Sequence, residues 1–141
     1  MSRLLALDVG DERIGVAISD ESATLARPCE VLERVPGPAS FLRIAEIVRT
    51  QSVVRIIVGL PLLEDGTQGK QVASTEAYVR GLARHVDVPI TLWDERYTTA
   101  AARDLMGEAG RPRRKGRAQL DAVAAAVILQ DYISEQTEDA R

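Results

Sequence analysis

Apolar residues in this chain fall into short runs whose spacing changes from segment to segment, and that spacing assigns each run to an element. Residues 3–9 are almost continuously apolar, as a central strand covered on both faces must be. After a turn at Asp11-Glu12, Ile14, Val16 and Ile18 alternate through residues 13–19 and predict a second strand. The connection is too short for a crossover, so these two form a hairpin. A weaker third strand is expected over residues 28–34, centred on Val31. Pro36-Gly37-Pro38 then breaks the chain before a helix over 39–51, with Phe41, Ile44, Ala45 and Val48 on one face. The β-branched run over 53–58 predicts a strand stopped by Gly59-Leu60-Pro61. A polar loop at 64–69 leads into a helix over 71–85, and residues 89–93 form a short strand. Thr98 can cap a helix that runs to about 106, where Gly107, Gly110 and Pro112 break it. The last helix, near 118–134, is apolar almost all round from Ala122 to Leu129, which predicts that it is buried.

The order β-β-β-α-β-α-β-α-α places the chain in the α/β class. It implies a five-stranded mixed sheet, its first three strands antiparallel and the others parallel, with helices on both faces. At 141 residues one domain accounts for residues 1–141, and the stretch from about 136 to 141 reads as a disordered tail. Parallel strands collect functional groups beyond their carboxyl ends. Asp8 and Glu95 fall at such ends.

Charge sharpens the picture more than composition does. A net charge of −3 argues against a protein that coats nucleic acid without selectivity. Yet Arg111, Arg113, Arg114, Lys115 and Arg117 put five cations into seven residues with no acid among them. Short basic runs are most often solvated loops. The lone Cys29 excludes an internal disulfide, and with a single His85 it disfavours a zinc site of the Cys/His type. No apolar run approaches a membrane span and the N-terminus lacks the pattern of a secretory signal, so a cytoplasmic protein without a membrane partner is expected.

Three acids stand directly against apolar segments: Asp8 in Leu7-Asp8-Val9, Glu95 after Ile90-Thr91-Leu92-Trp93-Asp94, and Asp121 before Ala122. A carboxylate in that position is costly to desolvate unless something compensates it. One shared answer is a divalent-metal site, and an all-oxygen donor set suits Mg²⁺ or Mn²⁺. Two such ions can clamp a phosphoryl displacement. Taken singly the residues say less: Asp8 can cap a turn before Gly10, Asp94 and Glu95 can pair with Arg96 at the surface, and Asp121 is favoured by a helix dipole. Gly10 and Gly15 resemble a phosphate-binding hairpin, or simply a hairpin that contains glycine. Thr98 and Thr99 are cap residues whose hydroxyls can also bind a backbone phosphate. Because the basic strip precedes Asp121 by a few residues, it lies beside the site if Asp121 belongs to one. Trp93 reads as core packing and His85 as a surface residue.

Four segments, taken together and in order, resemble the YqgF/RuvX family of RNase H-like proteins. They are Leu5-Ala6-Leu7-Asp8-Val9-Gly10 with Arg13-Ile14-Gly15-Val16-Ala17; Val58-Gly59-Leu60-Pro61 with Asp65-Gly66; Asp94-Glu95-Arg96-Tyr97-Thr98-Thr99; and Lys115-Gly116 with Asp121-Ala122-Val123-Ala124-Ala125. The resemblance implies an RNase H-like fold and a metal-dependent nuclease related to Holliday junction resolvases, acting in pre-16S rRNA maturation. It makes Asp8, Glu95 and Asp121 the catalytic, metal-holding acids. Arg13, Arg96, Thr98, Thr99, Arg113, Arg114, Lys115 and Arg117 are then expected to contact nucleic acid. The expected partners are structured RNA (pre-rRNA) or branched DNA, with ribosomal assembly particles beyond them, and the protein is a monomer or a homodimer. Two other readings compete. One is an ATP-binding protein of the actin/hexokinase type, disfavoured because the chain has length for one lobe only. The other is a non-catalytic RNA or ribosome-assembly binder that keeps the fold.

Overall fold

The computed structural model describes residues 2–62, 69–94 and 117–139, with side chains in the last stretch for 120–136. Five strands, β1 (Arg3–Val9), β2 (Arg13–Ser19), β3 (Ala26–Glu33), β4 (Val53–Leu60) and β5 (Ile90–Asp94), form one sheet in the order β3-β2-β1-β4-β5. β1–β2 and β2–β3 are antiparallel, while β4 and β5 add in parallel, which is the mixed sheet the element order implied. Helices α1 (Ala39–Thr50) and α2 (Lys70–Leu82) cover one face, and α3 (Arg117–Asp139) crosses the other. The expected helix over 98–106 and the Asp65-Gly66 loop lie outside the described residues.

Side-chain alternation decides what each face carries. In β1, Leu5, Leu7 and Val9 pack toward α1 and α2, and in β2 Ile14, Val16 and Ile18 do the same. The residues between them, Ala6 and Ala17, join Ala26, Ile57, Ala125, Ala126, Ile128, Leu129 and Ile133 under α3. With a period of two along a strand, Asp8 shares the α3 face with Ala6, and Arg13 and Gly15 share it with Ala17.

Several boundaries differ from the sequence expectation. β4 continues through Gly59 and Leu60, because those residues pair with Trp93 and Asp94 of β5; the strand stops only at Pro61. α2 ends at Leu82 rather than near 85, where Arg84 N–H donates to Gly81 O at 3.2 Å and His85 N–H to Leu82 O at 2.8 Å. Such three-residue closures tighten and finish a helix. α3 runs to Asp139, five residues past the expected end at 134, so the stretch expected to be a tail is helical that far. No helix among the described residues is long and apolar enough to cross a membrane.

Candidate active site

Asp8 lies opposite Gly15 in the β1–β2 ladder. Residues directly opposed across an antiparallel pair project from the same face. Gly15 has no side chain, so the space beside the Asp8 carboxylate is open, and α3 descends into it. A Cβ on Gly15 would stand 1.9 Å from the backbone O of Asp121 and 3.0 Å from the N of Ala122. The hairpin glycine is therefore a docking gap for a helix. That gap brings Asp121 next to Asp8 across more than a hundred residues of chain.

The electrostatics place each acid in the field of the other. Burial, and secondarily the negative charge of Asp121, push the Asp8 carboxyl up to about 6 from an ordinary 3.8. A carboxylate in a partly apolar setting beside a like charge resists ionisation for both reasons. Asp121 is held from the other side by Arg13, whose Nε–H donates to Oδ2 at 2.8 Å. Arg13 Nη1 also approaches Glu12 Oε2 at 3.8 Å. Gly10, Asp11, Glu12, Arg13 and Asp121 line an open concavity of about 260 Å³.

The turn beneath that concavity is tight. Gly10 N–H donates to Arg13 O at 2.8 Å, and a Cβ on Gly10 would stand 2.9 Å from the same oxygen. Arg34, at the end of β3, braces the turn from behind. Its Nη1 donates to Gly10 O at 3.0 Å and to Ser74 Oγ at 2.8 Å, and Nη2 donates to Ser74 O at 3.0 Å. Its guanidinium also lies 5.3 Å from the centroid of the Tyr78 ring. Arg34 escaped the sequence reading because its partners lie on the turn at Gly10 and on α2, with no local pattern joining them.

β5 delivers the chain toward the same end of the sheet. Trp93 packs on the α3 side, as expected of a core residue, and does more: its Nε1–H donates to Oδ2 of the fully buried Asp131 at 2.9 Å. Tyr132 meets the indole edge-on at 5.2 Å. His85 is exposed, as anticipated, stacked on Phe41. Of the candidate site residues, Asp8, Asp121 and Arg13 come together. Glu95, Arg96, Thr98, Thr99, Arg113, Arg114 and Lys115 lie outside the described residues, as does the side chain of Arg117.

Comparison with known proteins gives the family and the fold. Residues 2–135 match the RuvX family, described as Holliday junction resolvase. A protein of Chloroflexus aggregans named "Putative pre-16S rRNA nuclease" is 41% identical over 130 residues, covering 92% of each chain. Namesakes from Symbiobacterium thermophilum and Thermoanaerobacter pseudethanolicus are each 42% identical, over 93% and 95% of this chain and 91% and 97% of their own. Among solved structures, Thermus thermophilus RuvC in complex with Holliday junction substrate superposes with a TM-score of 0.63 at 16% identity, covering 97% of this chain and 98% of that one. The fowlpox virus resolvase bound to Holliday junction DNA gives 0.57 at 11% identity, over 95% and 98%. At such identities the likeness is one of fold, and the fold is that of the RuvC-like, RNase H-type resolvases.

Proposed function

The chain belongs to the RuvX family of nucleases, and from that membership we propose that it is a divalent-metal-dependent phosphodiesterase acting at the 5′ end of pre-16S rRNA. The observation that carries the reading is the pairing of Asp8, near the end of β1, with Asp121 on α3, with Asp8 raised to about 6. Two carboxylates kept this close hold more negative charge than Arg13 alone offsets. Their donor set is all oxygen, the kind that hard cations favour. The residues therefore fit Mg²⁺ or Mn²⁺, with Asp8 and Asp121 as ligands and Glu95, which follows directly on β5, as the third. A bound ion would supply a more acidic water and offset charge building up on the phosphate.

The chain's own residues account for the remaining requirements. Gly15 and the small residues around it set the spacing between the acids. Arg34 holds the Gly10 turn that follows Asp8. Arg13 and the basic strip at Arg113, Arg114, Lys115 and Arg117 supply cations for the nucleic-acid backbone, while Arg96, Thr98 and Thr99 lie in sequence beside Glu95. Phosphate contacts of this kind fix register and make binding salt-dependent.

A second reading has specific support, because the family description and the neighbours of like fold concern Holliday junctions. In that reading the substrate is a four-way DNA junction. One experiment tests both: wild type and Asp8→Asn, each with Mn²⁺, on a pre-16S rRNA fragment and on a four-way junction. Cleavage of the RNA by wild type alone supports the first reading, and of the junction alone the second. Equal cleavage by both proteins removes the catalytic role of Asp8.

A further inference from the structure

Two arginines border the site and are held very differently. Arg34 is locked by three hydrogen bonds and an aromatic ring. The Arg13 side chain makes one hydrogen bond, from Nε, and among the described residues its Nη groups meet only Glu12, at 3.8 Å. Its side chain is 30% exposed on the rim of the open concavity that Asp121 also lines. A guanidinium tethered by one bond at an open rim has room to turn. Its partner is one of the two acids assigned above to the metal.

We propose that Arg13 is an exchangeable counter-cation: without metal its Nε–H occupies Asp121, and when a divalent ion arrives it releases that carboxylate and turns to the phosphate of the substrate. The inference rests on the reading of Asp8 and Asp121 as metal ligands. The charge inventory supports it. Asp8 and Asp121 carry two negative charges and Arg13 offsets one, with Asp11 and Glu12 adding further acid at the rim. A divalent ion neutralises the Asp8/Asp121 pair by itself, and its charge repels a guanidinium held against the same carboxylate. An incoming phosphodiester brings a new negative charge to the same rim. A planar guanidinium whose Nη groups make no hydrogen bond among the described residues suits phosphate oxygens, which it can take two at a time.

The test uses the intact protein and reads binding rather than cleavage. Mn²⁺ affinity is measured by calorimetry for wild type, Arg13→Gln and Asp8→Asn. Arg13→Gln is expected to bind the ion about tenfold more tightly, the order set by a charge-assisted hydrogen bond that no longer has to be surrendered. Asp8→Asn is expected to bind more weakly than wild type. In parallel, the Arg13 Nε–H resonance, assigned by its loss in Arg13→Gln, is followed in the wild type during a Mg²⁺ titration. It is expected to shift and saturate with metal occupancy. Equal or weaker Mn²⁺ binding by Arg13→Gln, with wild type still depending on Asp8, overturns the exchange and leaves the metal site standing. An unmoved resonance at saturating Mg²⁺ does the same without relying on any variant. Wild-type binding that is absent, or unchanged in Asp8→Asn, overturns the metal site and the exchange together.

Discussion

On the α1/α2 side the sheet presents large branched residues, Leu5, Leu7, Ile14, Val16, Ile18, Ile56 and Val58, against Ile44, Ile47, Tyr78 and Leu82. On the α3 side it presents Ala6, Gly15, Ala17 and Ala26 beside Ile57, against Ala125, Ala126 and Leu129. The first face is filled by volume, and its helices are held off by the side chains that bury them. The second is built from small residues, so a helix backbone touches a strand backbone. Tight approach there puts an acid from the helix beside an acid from the strand. One side of the sheet is filled by bulk, and the other turns close packing into a candidate site.

Gly15→Ala should have the strongest consequence. The added Cβ meets backbone rather than a flexible side chain, at 1.9 Å, so α3 must move. We expect a loss at or above the ~3 kcal/mol upper end of ordinary overpacking, together with weakened Mn²⁺ binding. Ile44→Ala on the opposite face serves as the control. It should cost about 2–5 kcal/mol of stability by leaving a cavity, while Mn²⁺ affinity of the folded protein is retained. Urea unfolding and calorimetry on both variants check the contrast, and equal effects on metal binding would break it.

Next in size is a pH effect. The folded Asp8 carboxyl keeps its proton up to about 6, whereas in the unfolded chain it releases it near 3.8. Between those values the native state binds more protons, so stability falls as pH rises. The contribution is fully present below the unfolded value and is lost through about 6. Its size is on the order of 3 kcal/mol. Unfolding in a chelating buffer from pH 4 to 7.5 should show this decline in wild type. Asp8→Asn should lack it and be the more stable protein at neutral pH. A flat wild-type profile would mean that the α3 face does not strain Asp8.

Trp93→Phe should cost about 1.5–3 kcal/mol, because it removes a donor from the buried Asp131 carboxylate while keeping most of the ring packing. Thermal unfolding measures it. The smallest effect belongs to Gly81→Ala in α2, where the new Cβ would meet only the ring tip of Phe41, at 2.6 Å. A ring tip can yield, and alanine gains up to about 1 kcal/mol of helix propensity over glycine, so the net change should stay within about 1 kcal/mol. Gly15 and Gly81 then differ because one faces backbone and the other a side chain.

Much of this could be read along the chain. The alternation of Ile14, Val16 and Ile18 located β2 to the residue, and the apolar run before Asp8 located β1. Those signals are local, since a strand's period and a helix's period are written in neighbouring residues. The candidate site was half legible. Asp8 and Asp121 were conspicuous against apolar surroundings, and the structure brings them together. The work of Gly15 was hidden, because a glycine in a hairpin looks the same whether it faces a phosphate or a helix. Arg34 and Asp131 gave no sign, since their partners, Gly10, Ser74 and Trp93, lie far along the chain.

The order of strands and helices, the two periodicities and the placing of acids at segment ends were thus set by the amino-acid order, because backbone sterics and local burial act over a few residues. Which carboxylates meet, how closely, and which arginine answers them depended on the folded layers. That outcome follows from the summed volumes of side chains on two surfaces, with Gly15 vacant beneath Asp121 and Arg13 reaching 108 positions forward to bind it.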